Sequence, residues 1–198
     1  RHRMGMIYDM HCHILPGVDD GSPDLTESLK MLKAQADQGV EGVVLTPHYR
    51  CGMFETDDDS VSENFEVLKF AAAELYPDLK LRLGCEVHVS ADLEEDIKSG
   101  RHLKMSDTNV MLLEFSPIHT KSFITERLYT IRSLGIVPVL AHVERYPVLT
   151  ENISLLAELR NMGIMLEVSA DAVLGIDGRR AKGFCKKLLK YDFVDFIG

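Results

Sequence analysis

The sequence predicts an α/β protein whose parallel strands close into a barrel, on three observations. Short apolar runs rich in Val, Ile and Leu alternate with longer amphipathic stretches along the chain. Those runs show little strict polar alternation, as strands buried on both faces should. Six strand–helix units then end in one further strand, which favours a closed barrel with right-handed crossovers over an open sheet. A chain of 198 residues can bury one sizeable core, so we take residues 1–198 as a single domain. Arg1–Gly5 reads as a ragged or added start and stays outside the argument.

The strands expected in order are Met6–His11, Gly42–Thr46, Lys80–Val87, Asn109–Phe115, Ile136–His142, Ile164–Val168 and Phe193–Gly198. Between the first two, Ser22 reads as an N-cap and Pro23 as the first helical position. Leu25, Leu29, Leu32 and Ala36 then recur at helical spacing until Gly39. Val61, Phe65, Leu68, Ala72 and Leu75 repeat the pattern before Pro77. Ile124, Leu128, Ile131 and Leu134 do so before Gly135, and Ile153, Leu156 and Leu159 before Gly163. The acidic "ETDDDS", Glu55–Ser60, reads as a solvated loop leading into a helix.

Composition narrows the function. A net charge of −9 disfavours nucleic acid as a partner, since phosphate contacts need a basic face. It leaves a phosphorylated substrate open, because local cations can outweigh the global sign. No apolar run approaches the ~20 residues of a membrane-spanning helix, and no secretory signal is present, so a cytoplasmic location is expected. Cys12, Cys51, Cys85 and Cys185 form no close cluster and read as free thiols.

In parallel barrels the chemistry gathers at the C-terminal ends of the strands. Strand one ends in His11 and His13, which share a face of extended chain while Cys12 points away. Strand two runs into His48, strand three into Glu86 and His88, strand four into Glu114, and strand five into His142, Glu144 and Arg145. A lone buried His is more often a hydrogen-bonded core residue than a ligand. The convergence decides otherwise, because several inward carboxylates and imidazoles at one mouth need cations. A His/carboxylate set without thiolate suits Mn, Fe or Zn. Asp19 and Asp20 both follow the first strand, and spacing does not choose between them.

"DMHCHILPGVDDG", "TPHY", "CEV", "LLEF" and "AHVERY" resemble the PHP (polymerase and histidinol phosphatase) superfamily. Within it they are similar to the bacterial tyrosine phosphatases of capsule and exopolysaccharide operons, the CpsB/CapC type. The resemblance implies a distorted, TIM-like barrel of seven strands and two to three divalent metals, Mn or Fe first and Zn next. His11, His13, Asp20, His48, Glu86, Glu114 and His142 match its ligand positions. The resemblance further implies an Asp-x-His segment directly after the seventh strand, where this chain has Gly198, and we expect the natural reading frame to continue.

The resemblance implies hydrolysis of phosphotyrosine on protein; the chemistry expected is attack by metal-activated hydroxide, with Arg145 gripping the phosphate bidentately and Arg50 as a weaker candidate. The partner implied is the phosphotyrosine-bearing tail of a membrane-bound tyrosine kinase; the oligomeric state is left open. Cysteine-dependent tyrosine phosphatases carry a Cys-x5-Arg loop. Here the positions six beyond each cysteine hold Val18, Asp57, Ala91 and Tyr191, which argues against a thiolate nucleophile. Two other readings stand beside this one. The protein could be another PHP phosphoesterase with a small substrate such as histidinol phosphate, or a non-catalytic, kinase-binding regulator.

Overall fold

The structure, a computed structural model, describes residues 6–198; the start at Arg1–Gly5 lies outside them. The fold is α/β with parallel strands, and the chain divides into two compact units. The first holds the residues up to Glu86 together with Asp96–Asp107, the second Val87–Glu95 together with Thr108–Gly198.

In the first unit, β1 (Ile7–Cys12), β2 (Val40–Leu45) and β4 (Lys80–Leu83) form a parallel sheet with β2 in the centre. The short β3 (His48–Tyr49) follows β2. Helices α1 (Leu25–Asp37) and α2 (Asp58–Leu75) cover a core of Ile14, Leu15, Leu32, Leu45, Phe65 and Leu68. Helix α1 starts later than expected. Its N-cap is Asp24, whose side chain accepts from the Glu27 N–H. Ser22 is buried instead, its hydroxyl engaged with the Asp24 carbonyl and Ser28, so it is committed to the loop. Gly39, at φ +82°, ends the helix as its position predicts. The acidic stretch at Glu55–Ser60 divides: Asp57 caps α2, and Asp58 and Asp59 sit in its first turn, where negative charge meets the helix dipole favourably.

The third expected strand is broken into β4 and β5 (Glu86–His88) at Gly84 and Cys85. A Cβ at Gly84 would lie 2.9 Å from Met105 Sδ and 3.0 Å from Val44 Cγ1, so a larger residue there would have to displace both side chains.

In the second unit, β6 (Val110–Glu114), β7 (Val137–Leu140), β8 (Met165–Val168) and β9 (Phe196–Ile197) are parallel neighbours in that order. Helices α4 (Lys121–Ser133) and α6 (Ile153–Asn161) bury Ile124, Leu128, Leu155 and Leu159. A 3-10 turn (Val143–Arg145) and the short α5 (Pro147–Thr150) follow β7. The sequence pattern marks no helix at α3 (Leu93–Lys98), α5, α7 (Ala170–Leu174) or α8 (Arg179–Lys190). Among the described residues no helix is long and apolar enough to cross a membrane.

Candidate metal centre

The first unit gathers its chemistry around one carboxylate. Strand β1 puts Cys12 into the core, where its Sγ donates to the Val44 carbonyl, and turns His11 and His13 to the other face. The exit of β2 is zipped to the segment before β5: Gly84 N–H donates to the Leu45 carbonyl and Glu86 N–H to that of Pro47. Glu86 is thereby fixed beside His48. Its Oε2 stands 3.0 Å from His11 Nε2, 3.0 Å from His13 Nε2 and 3.1 Å from His48 Nε2. The Glu86 side chain is 1% exposed. The His13 and His48 rings stack face to face, centroids 4.3 Å apart.

Asp19 and Asp20 part company here. The Asp19 side chain is wholly buried, and its Oδ2 accepts from His13 Nδ1 at 2.9 Å and from the His48 backbone N–H at 2.9 Å. Its Oδ1 accepts from the Gly21 N–H. Three donors already occupy this carboxylate. By holding His13 Nδ1, it leaves Nε2 as the atom turned to Glu86, the arrangement in which a carboxylate orients a metal-binding imidazole. Asp20 is 67% exposed, with Oδ1 3.3 Å from His48 Nδ1. The loop reaches this shape because residue 21 is glycine: a Cβ there would meet the His13 carbonyl oxygen at 2.2 Å. The Ser22 N–H closes the same loop onto that carbonyl.

The electrostatics are those of a cation site. Burial works against a charge on His13, but the Asp19 and Glu86 carboxylates outweigh it and raise its pKa to about 9. Asp19, against its own burial, is held well below the usual carboxylate range by His13 and His48. A buried carboxylate facing three imidazoles needs positive charge. A metal ion fits. His11, His13 and Glu86 form one group whose ligand atoms all lie within 4.8 Å, and His13, Asp19 and His48 form another. Two ligand atoms each about 2.1 Å from one cation stand roughly 3 to 3.4 Å apart, which is the separation observed around Glu86.

The second unit carries a looser arrangement. Glu114 ends β6, and its Oε1 lies 3.7 Å from His142 Nε2. His142 follows β7 in a left-handed conformation, φ 38° and ψ 58°, which non-glycine residues rarely adopt. Its Nδ1 meets the buried Tyr146 hydroxyl at 3.2 Å, and that hydroxyl also accepts from the Phe115 N–H at 3.1 Å. Tyr146 went unread in the sequence, although its place four residues after His142 in a helical turn is the spacing at which side chains meet. Arg145 is exposed at the end of the 3-10 turn, while the neighbouring Glu144 accepts from the Ser169 N–H. Arg50, in the first unit, is half-buried and opens a tight turn closed on Phe54.

The family described as capsular polysaccharide synthesis, CpsB/CapC, matches residues 7–198. The chain belongs to the CpsB/CapC family. Its similar proteins include the tyrosine-protein phosphatase YwqE of Bacillus subtilis, 30% identical over 189 residues that cover 96% of this chain and 74% of YwqE. The tyrosine-protein phosphatase CpsB of Streptococcus agalactiae is 35% identical over 194 residues, covering 96% of this chain and 80% of CpsB. Among solved structures, those of YwqE from Bacillus subtilis and CpsB from Streptococcus pneumoniae, described as unique metal-dependent tyrosine phosphatases, include a chain that superposes with TM-score 0.89. It is 30% identical, over 97% of this chain and 78% of that one. A histidinol phosphate phosphatase from Lactococcus lactis, complexed with Zn, L-histidinol and phosphate, shares the fold at TM-score 0.61 and 17% identity, over 97% of this chain and 83% of that one. The CpsB/CapC fold thus places the H-x-H clamp and Glu86 together, in a family with metal-dependent members.

Proposed function

We propose that this protein is a metal-dependent phosphatase that hydrolyses phosphotyrosine on protein. One observation carries the reading: three imidazoles converge on a single buried carboxylate oxygen in a chain of the CpsB/CapC family. His11, His13, His48 and Glu86 would hold the metal, with Asp20 beside His48. Glu114 and His142 join the set through the family's ligand positions. The donors are nitrogen and oxygen without thiolate, which suits Mn, Fe or Zn; two to three divalent ions, Mn or Fe before Zn, are what the family resemblance implies. When bound, such ions lower the pKa of coordinated water from 15.7 toward ~7 and neutralise charge on the phosphoryl oxygens.

The chain's own residues have separate tasks. Asp19 fixes the tautomer and direction of His13. Arg145, on the surface, offers a planar fork to two phosphate oxygens, and Arg50 a second cation. None of the three buried thiols competes as nucleophile, since burial pushes Cys12, Cys85 and Cys185 up, away from the thiolate. A phenol with pKa about 10 leaves with less protonation than an alkyl alcohol needs. The natural substrate is, on this reading, the tyrosine-phosphorylated tail of a membrane-bound kinase that controls capsule or exopolysaccharide synthesis, met at the cytoplasmic face.

A substrate panel tests this. With Mn present, kcat/KM on a phosphotyrosine peptide should exceed that on a phosphoserine peptide and on histidinol phosphate. A preference for histidinol phosphate would move the protein to a small-molecule phosphatase, and no hydrolysis of any of them would leave it a binding protein.

A further inference from the structure

We propose that a cationic groove in the first unit docks an acidic stretch of the polypeptide that carries the phosphotyrosine. The proposal rests on the phosphatase reading and adds a substrate class to it. The groove, of about 470 Å3, lies between α2, the end of β4 and the segment after α3. Its volume is in the range of ordinary ligand clefts. Lys69, Arg82, Arg101 and Lys104 line it, against the single carboxylate of Asp107, with Phe65 among its apolar residues.

This gathering runs against the composition. In a chain of net charge −9, cations scattered at random would be matched by acids. Among the described residues, Lys69 is the one groove cation in an ion pair, with Glu66 at 3.2 Å, an exposed pair that holds it weakly. Arg82 and Lys104 are exposed. A cleft lined by one sign of charge focuses its field and concentrates ligands of the opposite sign.

The occupant is argued from charge and from position. A groove lined by both cations and apolar side chains such as Phe65 and Leu81 suits a peptide that offers carboxylates and aliphatic side chains together. Arg101 lies over the Tyr49 ring, 4.8 Å from its centroid, and Tyr49 directly follows His48. The groove wall therefore rests on the segment that carries the candidate metal cluster. A substrate chain with its phosphotyrosine at the cluster can reach the groove with residues a few positions away, since extended chain covers ~3.3 Å per residue.

The test uses the full, metal-loaded chain and the double variant Arg82→Glu/Lys104→Glu. The probes are tyrosine-phosphorylated Glu/Tyr copolymer and p-nitrophenyl phosphate. KM for the copolymer should rise about tenfold, equivalent to about 1.4 kcal/mol, with kcat and the aryl phosphate KM unchanged. Added salt should raise the copolymer KM of the unmodified protein and leave that of the variant nearly flat. The milder Arg82→Gln/Lys104→Gln should shift KM in the same direction by less. A copolymer KM within twofold of the unmodified protein overturns the proposal. So does an equal loss on both substrates, or a variant that loses binding to phosphatidylglycerol vesicles while its copolymer KM holds, which would assign the groove to a lipid surface. If the unmodified protein hydrolyses neither probe, the phosphatase reading has failed. Fluorescence anisotropy with unphosphorylated Glu/Tyr copolymer then decides the groove alone: weaker binding by the double variant supports it, and equal binding refutes it.

Discussion

Glu86 and Glu114 are both strand-borne carboxylates next to histidine, yet their surroundings differ in kind. Glu86 is 1% exposed and within 3.1 Å of three imidazole nitrogens. Glu114 is 21% exposed and 3.7 Å from the nitrogen of His142. The first arrangement calls for positive charge, because a buried ionised carboxylate is costly unless it is paired. The second is held by local devices instead: a left-handed His142 and the Tyr146 hydroxyl on its ring. The difference teaches that the first unit gathers its imidazoles around one buried charge, whereas the second buries His142 and Tyr146 and leaves its carboxylate, Glu114, partly open to solvent.

That contrast can be broken most sharply at Glu86. Glu86→Gln keeps the shape and removes the charge that three imidazoles face. Metal content should fall, and phosphatase activity should drop by more than the roughly hundredfold that loss of an orienting neighbour costs. Unchanged metal by elemental analysis would erase the distinction between the two carboxylates.

Asp19→Asn comes next. It leaves every proposed ligand in place but loosens His13, so metal affinity or kcat/KM should fall by about 10- to 100-fold. The counterpart in the second unit, Tyr146→Phe, removes one hydroxyl from His142 and should cost less, about tenfold at most, since a neutral hydrogen bond is worth about 1 kcal/mol. A larger effect from Tyr146→Phe than from Asp19→Asn would reverse the ranking of the two units.

Arg145 sharpens the comparison from the side of the substrate. Arg145→Lys should lose nearly as much kcat/KM as Arg145→Ala, because the planar fork is gone in both, with metal content unchanged. Wild-type rates in both variants would return Arg145 to the surface.

The smallest effect concerns protons. In the metal-free protein His13 has its pKa raised from 6.5 to about 9, so its charged form is favoured in the folded state. This contribution to stability is complete below pH ~6.5 and is lost as pH rises through about 9. Metal-free protein should therefore melt at lower temperature at pH 9 than at pH 7. Metal binding near pH 7.5 should release about one proton, because a ligating imidazole is neutral. Calorimetry in buffers of different ionisation enthalpy reads this directly, and binding heats independent of buffer would refute it.

Much of this was legible in the chain. Buried, Val-rich runs mark parallel strands, and H-x-H two apart in extended chain can only share a face. The rest was hidden for identifiable reasons. Ser22 and Asp24 are both good caps, and only the packing of Ser22 against Ser28 decides for Asp24. Helix α8 was missed although Ala181, Phe184, Cys185 and Leu188 recur at helical spacing: its many basic residues and the exposed Gly183 disguise a helix whose apolar face buries Cys185 and Leu188. Spacing left Asp19 and Asp20 equivalent; the turn permitted by Gly21 sends Asp19 inward to His13 and leaves Asp20 exposed beside His48. The left-handed His142 has no signature at all, since backbone strain is imposed by the surrounding fold.

The central claim is that the imidazoles around Glu86 hold metal and that this metal carries phosphatase activity. It is tested most directly by stripping the protein with a chelator, returning Mn in measured increments, and following p-nitrophenyl phosphate hydrolysis in the unmodified protein and in His11→Ala. The account predicts no rate in the stripped protein, recovery that saturates at a few metals per chain, and little recovery in His11→Ala. A stripped protein that keeps its rate, or a His11→Ala variant that recovers as fully as the unmodified one, would contradict it.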